Sequence, residues 1–377
     1  MNAGLYIHIP FCRTKCHYCS FNSFPCRDLP PEKYLNSLVA HCEKFKRIWD
    51  VARPIGTLFI GGGTPTIYSG EQISRLLGSC RKIFTIDTLA ELTIETNPNT
   101  VSRSALDLLL EAGFNRLSIG VQAFDEDLLA VLGRSHTVDE ARRAVEMARN
   151  AGFTNINIDL MYGLPGQTVG TFKKTLGQAM ALNVAHIALY ELTIEGKTQF
   201  DDRLKAGALI LPDESEIVAM EELVQTMLPA HGYLRYEISN YAKAGYFCRH
   251  NSNYWENGTY LGVGAGAVSY VDGIRFKNID NPGQYATLIA ADEPAYEYAE
   301  GLSTEASFRE TVIMGLRMLR GVDLNQLEKR FDLKPLSYYG ETLRKLLAED
   351  MIDIDDDYMK LTARALPVAN QVLSELV

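Results

Sequence analysis

Three cysteines lie close together near the start of the chain, in the segment FCRTKCHYCSF. They are Cys12, Cys16 and Cys19. Thiolates are soft ligands that suit zinc or an iron–sulfur cluster. Three thiolates are one fewer than a closed structural zinc site uses. A [4Fe-4S] cluster held by three thiolates instead leaves one iron open for a ligand from outside the protein.

The other four cysteines bear on this prediction in different ways. Cys26 and Cys248 are both candidates for a fourth ligand, although nothing local in the sequence requires one. Cys42 and Cys80 fall in helical patterns and are predicted to be core residues. An odd total of 7 cysteines indicates reduced thiols rather than disulfide bonds. The alternative of three incidental cysteines stays open.

Composition and charge argue against a nucleic-acid-binding, secreted or membrane-spanning protein. The chain has 377 residues and a formal net charge of -10, so no overall basic footprint for nucleic acid is present and no nucleic-acid partner is expected. The first residues, MNAGLYIHIPFC, lack the basic start and apolar stretch of a signal peptide. No run approaches the roughly 18 apolar residues of a spanning helix. We expect a soluble, cytoplasmic protein.

The segments that must position the cysteines alternate between predicted strands and predicted helices. Six β-rich runs alternate with amphipathic helical patterns, of which SRSALDLLLEAGF and VDEARRAVEMARNAGF each close on a glycine cap. This alternation predicts parallel βα units and an α/β fold, an incomplete (β/α)6 TIM-like barrel. A doubly wound sheet is the alternative. The predicted strands are residues 5–11, 57–63, 91–96, 116–122, 155–163 and 186–194.

Beyond residue 194 the regular alternation of strands and helices ends. A helix is predicted over residues 213–228, and the segment HNSNYWENGTYLGVGAGAVSYVDG is typical of antiparallel strands and turns. The last part is mostly helical, with a hairpin wing near its end. We therefore predict three domains: a core over 1–235, an antiparallel β extension over 236–303, and a helical, winged-helix-like domain over 304–377.

Chemically capable residues recur where the predicted strands end. GGGTP (residues 61–65) follows the second strand, and its glycines allow backbone amides to approach a small polar ligand. Glu95 ends the third strand, Gln122 ends the fourth, and Asp159 lies in the fifth. Each feature alone is typical of a turn or a solvated edge. Together they predict one site at the carboxyl ends of the strands.

The CxxxCxYC pattern directly after a first strand resembles that of the radical S-adenosylmethionine (radical SAM) superfamily. The resemblance implies that Cys12, Cys16 and Cys19 hold a [4Fe-4S] cluster whose open iron binds the amino and carboxylate groups of SAM. Reduction of the cluster then cleaves SAM to methionine and a 5'-deoxyadenosyl radical. Tyr18 matches an aromatic position that shields the adenine.

The resemblance also assigns the SAM site. Gly62, Gly63 and Thr64 match the glycine motif that contacts the methionine moiety. Carboxylates suit ribose hydroxyls or the SAM ammonium, and an arginine suits the SAM carboxylate. The further matching residues are Tyr6, Glu95, Gln122, Arg134 and Asp159.

The motifs YIHIPFC, GGGTPT, GVQ and DLMYGLPGQT resemble one branch, which contains oxygen-independent coproporphyrinogen III oxidase and the HemW-type haem chaperones. The resemblance covers nearly the whole chain. The oxidase carries a fourth cysteine two positions beyond the third, where this chain has Phe21. The oxidase also has a long N-terminal extension, whereas only five residues precede Tyr6. Both departures argue against porphyrinogen decarboxylation.

HNSNYW (residues 250–255) matches the HNxxYW motif that marks the haem-chaperone group. The resemblance assigns His250, Asn251, Tyr254 and Trp255 to haem. Imidazole is a good axial ligand for haem iron, and the two aromatic rings can pack on a porphyrin face. The alternative is an ordinary strand and turn, with His250 hydrogen-bonded and the aromatic rings in the core.

These observations predict a haem chaperone that binds haem, a [4Fe-4S] cluster and SAM and transfers haem to acceptor proteins. The resemblance implies respiratory haem proteins as acceptors, and it leaves open a homodimer and peripheral membrane contact during delivery. A coproporphyrinogen III oxidase is the alternative. A radical SAM enzyme with an unrelated substrate would leave HNSNYW unexplained. Whether the chain is an enzyme stays open, and no catalytic residue is assigned.

Overall fold

The computed structural model describes residues 2–26, 31–48 and 53–377. The strands are β1 (Ala3–Ile9), β2 (Phe11–Cys12), β3 (Phe24–Pro25), β4 (Ile55–Gly62), β5 (Ile86–Thr96), β6 (Arg116–Gln122), β7 (Asn155–Tyr162), β8 (His186–Glu191), β9 (Leu234–Arg235), β10 (Asn240–Ala242), β11 (Tyr260–Val263), β12 (Val268–Val271), β13 (Ile274–Asn278), β14 (Tyr296–Gly301), β15 (Val322–Asp323), β16 (Ile352–Ile354) and β17 (Tyr358–Leu361).

The helices are α1 (Glu32–Ile48), α2 (Gly70–Ile83), α3 (Arg103–Ala112), α4 (Glu126–Leu132), α5 (Val138–Ala151), α6 (Val169–Ala181), α7 (Gln199–Lys205), α8 (Glu214–Ala230), α9 (Arg249–Trp255), α10 (Pro282–Ala290), α11 (Thr304–Gly315), α12 (Leu324–Phe331), α13 (Pro335–Tyr339), α14 (Glu341–Ala348) and α15 (Ala369–Ser374).

The six predicted strands form the parallel centre of the sheet. They are β1, β4, β5, β6, β7 and β8, and they lie side by side in chain order. A doubly wound sheet would reverse its order at a switch point, so this order confirms the incomplete α/β barrel. Helices connect successive strands and cover the outer face. Because both faces are covered, the strands are largely apolar, and β6 is buried along its whole length.

The extension after the barrel differs from its prediction at one strand. β11 pairs in parallel with β1, with Tyr6 opposite Gly262, and so adds a seventh parallel strand. The prediction of a wholly antiparallel extension is wrong here, because local alternation does not reveal which edge a strand joins. β12, β13 and β14 then continue as antiparallel strands, as predicted. The opposite edge, at β8, is extended by antiparallel β10 and β9.

HNSNYW is helical and not part of a strand and turn, which corrects the prediction for this segment. It forms most of α9. The backbone amides of Arg249 and His250 both donate to the Glu91 carboxylate, at 3.0 Å each. Asn and Ser are weak helix formers, so propensity alone does not favour a helix here. Glu91 lies on β5, far away in sequence, and supplies the acceptors that the first turn needs.

Residues 304–377 carry a hydrophobic core of their own. Its buried members run from Phe308 to Leu376. β15, β17 and β16 form a small antiparallel sheet, in which β16 and β17 make the expected hairpin. The three domain boundaries stay a prediction. Across the part of the chain that the structure describes, no helix is both long and apolar enough to cross a membrane.

Candidate cofactor and ligand site

The cysteine loop, residues 12–19, follows β1 as predicted and is held by the short parallel pair of β2 and β3. The amide of Phe24 donates to the carbonyl of Pro10, and the amide of Cys26 donates to that of Cys12, both at 2.7 Å. Within the loop, the amide of Cys19 donates to the carbonyl of Cys16 at 3.2 Å. These main-chain bonds fix the path of the segment that carries the three thiols.

Each thiol has a polar neighbour. Thr64 Oγ1 donates to Cys12 Sγ at 3.7 Å, and Arg134 Nη1 donates to Cys16 Sγ at 3.5 Å. Cys19 Sγ lies 3.9 Å from the hydroxyl of Ser23. Hydrogen bonds to cluster thiolates tune the reduction potential of an iron–sulfur centre. The set of donors around the loop therefore fits a cluster.

Burial of the Cys12 side chain affects the protonation of its thiol. Burial raises the pKa of the Cys12 thiol to about 11, so this thiol stays protonated until a metal displaces its proton. Within residues 2–26, 31–48 and 53–377, no three His, Cys, Asp or Glu side chains are close enough to hold one metal ion.

Three of the other four cysteines are placed away from this role. Cys42 and Cys80 are fully buried core residues, as predicted. Cys248 is also fully buried, and its thiol donates to Glu91 Oε1 at 3.6 Å. Cys248 therefore belongs to the network that anchors α9.

Two glycines after β4 are required by close contacts. Gly62 has φ +115°, a left-handed conformation that favours glycine, and a Cβ there would collide with the His8 ring. A Cβ on Gly63 would lie 2.6 Å from the carbonyl oxygen of Phe11. The glycine motif therefore packs directly on the start of the cysteine loop.

The backbone amides of this motif are used within the protein. Gly62 donates to Glu95 Oε2 at 2.9 Å, and Gly63 donates to the carbonyl of Ile9 at 2.8 Å. The amide of Thr64 bonds a carbonyl beside the cysteine loop, also at 2.8 Å. The expectation that these amides are free for a ligand is therefore not met.

Two partly buried carboxyl groups, Glu95 and Asp159, line a cavity of about 270 Å³ inside the barrel together with Tyr6. Burial raises the pKa of Glu95 to about 8, and the nearby Asp159 adds to the shift. Burial also raises the pKa of Asp159, although Asn157 donates to it at 2.7 Å. Since both ionised forms are disfavoured, the cavity suits a ligand that brings positive charge.

Arg134 and Gln122 meet where β6 ends. The guanidinium of Arg134 donates to Asn97 Oδ1 and to the carbonyl of Gly120, as well as to Cys16. A Cβ on Gly120 would lie 3.0 Å from Gln122 Nε2 and 3.2 Å from Arg134 Nη2. Gln122 has φ +69°, a strained value for a residue other than glycine. In this structure Arg134 connects the cysteine loop to β6.

His250 is enclosed within the protein. Its Nδ1 lies 2.8 Å from Thr57 Oγ1 and its Nε2 lies 2.9 Å from the hydroxyl of Tyr254. Its ring stacks on Phe59 at 5.2 Å between centroids. Burial lowers the pKa of His250 to about 3, so the imidazole is neutral at physiological pH. Both ring nitrogens are occupied, and a bond to iron would require one of these partners to leave.

HNSNYW contributes to three cavities. His250 and Asn251 line the barrel cavity, Trp255 lines a second cavity of about 620 Å³, called the large cavity below, and Tyr254 lines both of these. Trp255 also lines a third cavity, of about 680 Å³, beside α12. The large cavity lies between α9 and residues 21–22, which follow the cysteine loop. Its lining residues are Tyr6, His8, Phe21, Asn22, Gly62, Glu95, Tyr254, Trp255, Asn257, Tyr260, Gly266, Ala267, Val268, Arg275, Glu310 and Met314. Cys16, Thr64 and Arg134 line a separate narrow cleft.

Several lining residues were not identified from the sequence. Arg275 lies on β13 and Glu310 and Met314 lie on α11, in elements that carry no motif. Glu91, which anchors α9, is one of many acidic residues. No spacing or composition signal separates these four residues from surface residues. Phe21 was noted only for the cysteine that it replaces, yet its ring lines the large cavity.

The fold and the three-thiol loop together define a radical SAM protein. Residues 6–179 match the model of the Radical SAM superfamily, and residues 302–368 match that of the HemN C-terminal domain.

Comparison with curated proteins gives the family within this class. The chain is 37% identical to the heme chaperone HemW of Bacillus subtilis (strain 168), over 97% of each chain. It is 34% identical to HemW of Lactococcus lactis, over 99% of this chain and 96% of the relative. It is 42% identical to HemW of Escherichia coli (strain K12), over 72% and 71%. The chain belongs to the HemW family.

A solved structure of coproporphyrinogen III oxidase (HemN) from Escherichia coli, described as a radical SAM enzyme, is similar over the whole chain. Its TM-score is 0.87 at 26% sequence identity, and the match covers 100% of this chain and 90% of the oxidase. The oxidase and this chain therefore share one architecture.

Proposed function

We propose that this chain is a haem chaperone that binds a [4Fe-4S] cluster, SAM and haem and passes haem to acceptor proteins. The observation that carries the proposal is the large cavity, which Tyr254 and Trp255 of α9 line together with Phe21. Its volume of about 620 Å³ lies in the range of sites that enclose a sizeable organic ligand. The names of the curated relatives support the same function.

Cys12, Cys16 and Cys19 would hold the cluster, which supplies an open iron for the amino and carboxylate groups of SAM when bound. Arg134 and Thr64 orient two of the thiols. A cationic ligand beside Glu95 and Asp159 would favour the ionised form of both carboxyl groups. The residues that we assign to SAM are Tyr6, Gly62, Gly63, Thr64, Glu95, Gln122, Arg134 and Asp159.

Haem would enter the large cavity and pack its flat face against Tyr254 and Trp255. The indole nitrogen of Trp255 is buried and finds no hydrogen-bond partner among the described residues, although a ligand oxygen could accept from it. His250 and Asn251 lie behind Tyr254 and support α9 from the barrel side. In this arrangement His250 positions the aromatic pair.

Coproporphyrinogen III oxidase remains the second candidate because a solved oxidase shares the whole architecture. Phe21 argues against it. This residue takes the place of the oxidase's fourth cysteine, and its ring is 65% exposed at the large cavity. Anaerobic incubation of the reconstituted protein with coproporphyrinogen III and SAM is expected to yield no protoporphyrinogen. Appreciable turnover would favour the oxidase.

The destination of the haem is a further part of the proposal. We place delivery in the cytoplasm and expect respiratory haem proteins as acceptors. A homodimer and peripheral contact with a membrane during delivery are compatible with this role.

A haem titration followed by absorbance tests the proposed function. We expect stoichiometric binding by the purified protein and weaker binding by Trp255→Ala, because that change removes one aromatic wall. Phe247→Ala is a matched control, since this ring is partly exposed and stacks on Tyr236 instead. If the unmodified protein binds no haem, the proposal fails.

A further inference from the structure

Arg275 and Glu310 form an ion pair in the wall of the large cavity. Arg275 lies on β13 and Glu310 on α11. The pair is bidentate: Nη1 donates to Oε1, and Nη2 donates to Oε2 at 2.6 Å. The two side chains are 24% and 27% exposed. The pair is therefore partly dehydrated but still in contact with solvent.

The guanidinium of Arg275 is held in a fixed position. Its central carbon lies 5.5 Å from the centroid of the Tyr270 ring, and Tyr260 is a further hydrogen-bond partner. Among the described residues that line the cavity, Arg275 is the sole lysine or arginine. The cavity thus combines aromatic walls with a single fork-shaped cation, which matches a planar ligand bearing a carboxylate.

We propose that Arg275 binds a carboxylate of the tetrapyrrole and that Glu310 occupies this position until the ligand arrives. This inference rests on the proposed function, of which it names the carboxylate-binding residue. Both carboxylates offer the same bidentate geometry to the guanidinium, so one replaces the other without leaving a buried cation unpaired. The displaced Glu310 side chain is solvent-accessible and regains water.

Replacement of Glu310 by a ligand carboxylate would weaken the attachment of α11 to the central sheet. The Arg275–Glu310 pair joins the central sheet to α11, the first helix of residues 304–377. A ligand that takes Arg275 removes this link, so binding of cargo and attachment of α11 oppose each other. By thermodynamic reciprocity, a contact that restores the Arg275–Glu310 pair weakens cargo binding by the same factor. The pair thus gives the chain a means of releasing what it carries.

Titrations with haem and with haem dimethyl ester, in one co-solvent, test the inference. The ester keeps the ring and iron but lacks free carboxylates. We expect the unmodified protein to bind haem about 10-fold more tightly than the ester, the typical effect of one charge-assisted hydrogen bond. Arg275→Met should lose this preference, and Glu310→Gln should bind haem more tightly while its affinity for the ester barely changes.

Two control variants test for a general effect of removing a cation and for an effect of an unpaired carboxylate. Lys277→Met removes the other cation of β13, whose ammonium bonds Glu297 and Asp280, and should keep the preference for haem. The double variant Arg275→Met/Glu310→Gln avoids an unpaired carboxylate, and circular dichroism checks that each variant is folded.

The outcomes separate the two proposals. If the unmodified protein binds neither haem nor the ester, the proposed function fails. If it binds both equally, or if the Arg275 variants keep the preference for haem, the assignment of Arg275 is overturned while haem binding stands. If Glu310→Gln does not tighten haem binding, Glu310 is not the competitor.

Discussion

The hydroxyl of Tyr254 lies 2.9 Å from Nε2 of His250, and this bond closes a chain that begins at Thr57. The imidazole therefore connects β4 to the residue that faces both cavities. A histidine in this position holds an aromatic side chain in place.

Replacing His250 with alanine should weaken haem binding without changing the absorption spectrum of the haem that remains bound, because His250 supports Tyr254 from behind. The free energy of unfolding should fall by about 2 kcal/mol, since buried hydrogen-bond partners lose their acceptor or donor. Absorbance titration and urea unfolding measure both effects. The exposed His231 supplies the control variant His231→Ala. A shifted Soret band in His250→Ala would instead identify His250 as an iron ligand.

Glu95 should make stability depend on pH. Burial raises its pKa to about 8 in the folded protein, above the value of the unfolded chain. Its contribution is therefore fully present below about pH 4.5 and is lost as the pH rises through 8. Glu95→Gln, which can still accept from Gly62, should be more stable than the unmodified protein by about 4 kcal/mol at pH 8 and nearly equal to it at pH 4.5. Urea unfolding at both pH values tests this, with the exposed Glu300→Gln as control.

SAM binding should release a proton. SAM carries a sulfonium and an ammonium cation, and a cation beside Glu95 favours the ionised carboxyl group and lowers its pKa. Affinity for SAM should therefore rise between pH 6 and pH 8, and Glu95→Gln should lose this rise. Calorimetry in two buffers with different ionisation enthalpies counts the proton. Equal enthalpies in the two buffers would place SAM away from Glu95.

The iron content of serine variants should distinguish the cysteines that bind the cluster from Cys26. Serine at position 12, 16 or 19 should reduce the iron of the reconstituted protein from about four atoms per chain to a small fraction, because each thiolate holds one iron. Cys26→Ser should leave the iron content unchanged, since the cluster has its three ligands without Cys26. Iron analysis and the visible absorption of the cluster measure this. A large loss of iron in Cys26→Ser would make Cys26 the fourth ligand.

Much of this protein was determined by local sequence. The strand predicted at residues 116–122 is β6 (Arg116–Gln122), and the two helices predicted to close on glycine end at Gly113 and Gly152. These features depend on alternation, apolar runs and the conformational freedom of glycine, all of which act over a few residues. The cysteine pattern likewise indicated the cofactor class, through its resemblance to the radical SAM superfamily.

The tertiary structure decided what depends on distant partners. α9 forms because Glu91 accepts two of its amide groups, and no pattern within HNSNYW reveals that partner. β11 joins β1 because the open edge of the sheet is available to it. Arg275 meets Glu310 across 35 positions, in elements with no motif. Local periodicity indicates which face of a helix or strand is buried. Which residues pack against that face is decided only by the tertiary structure.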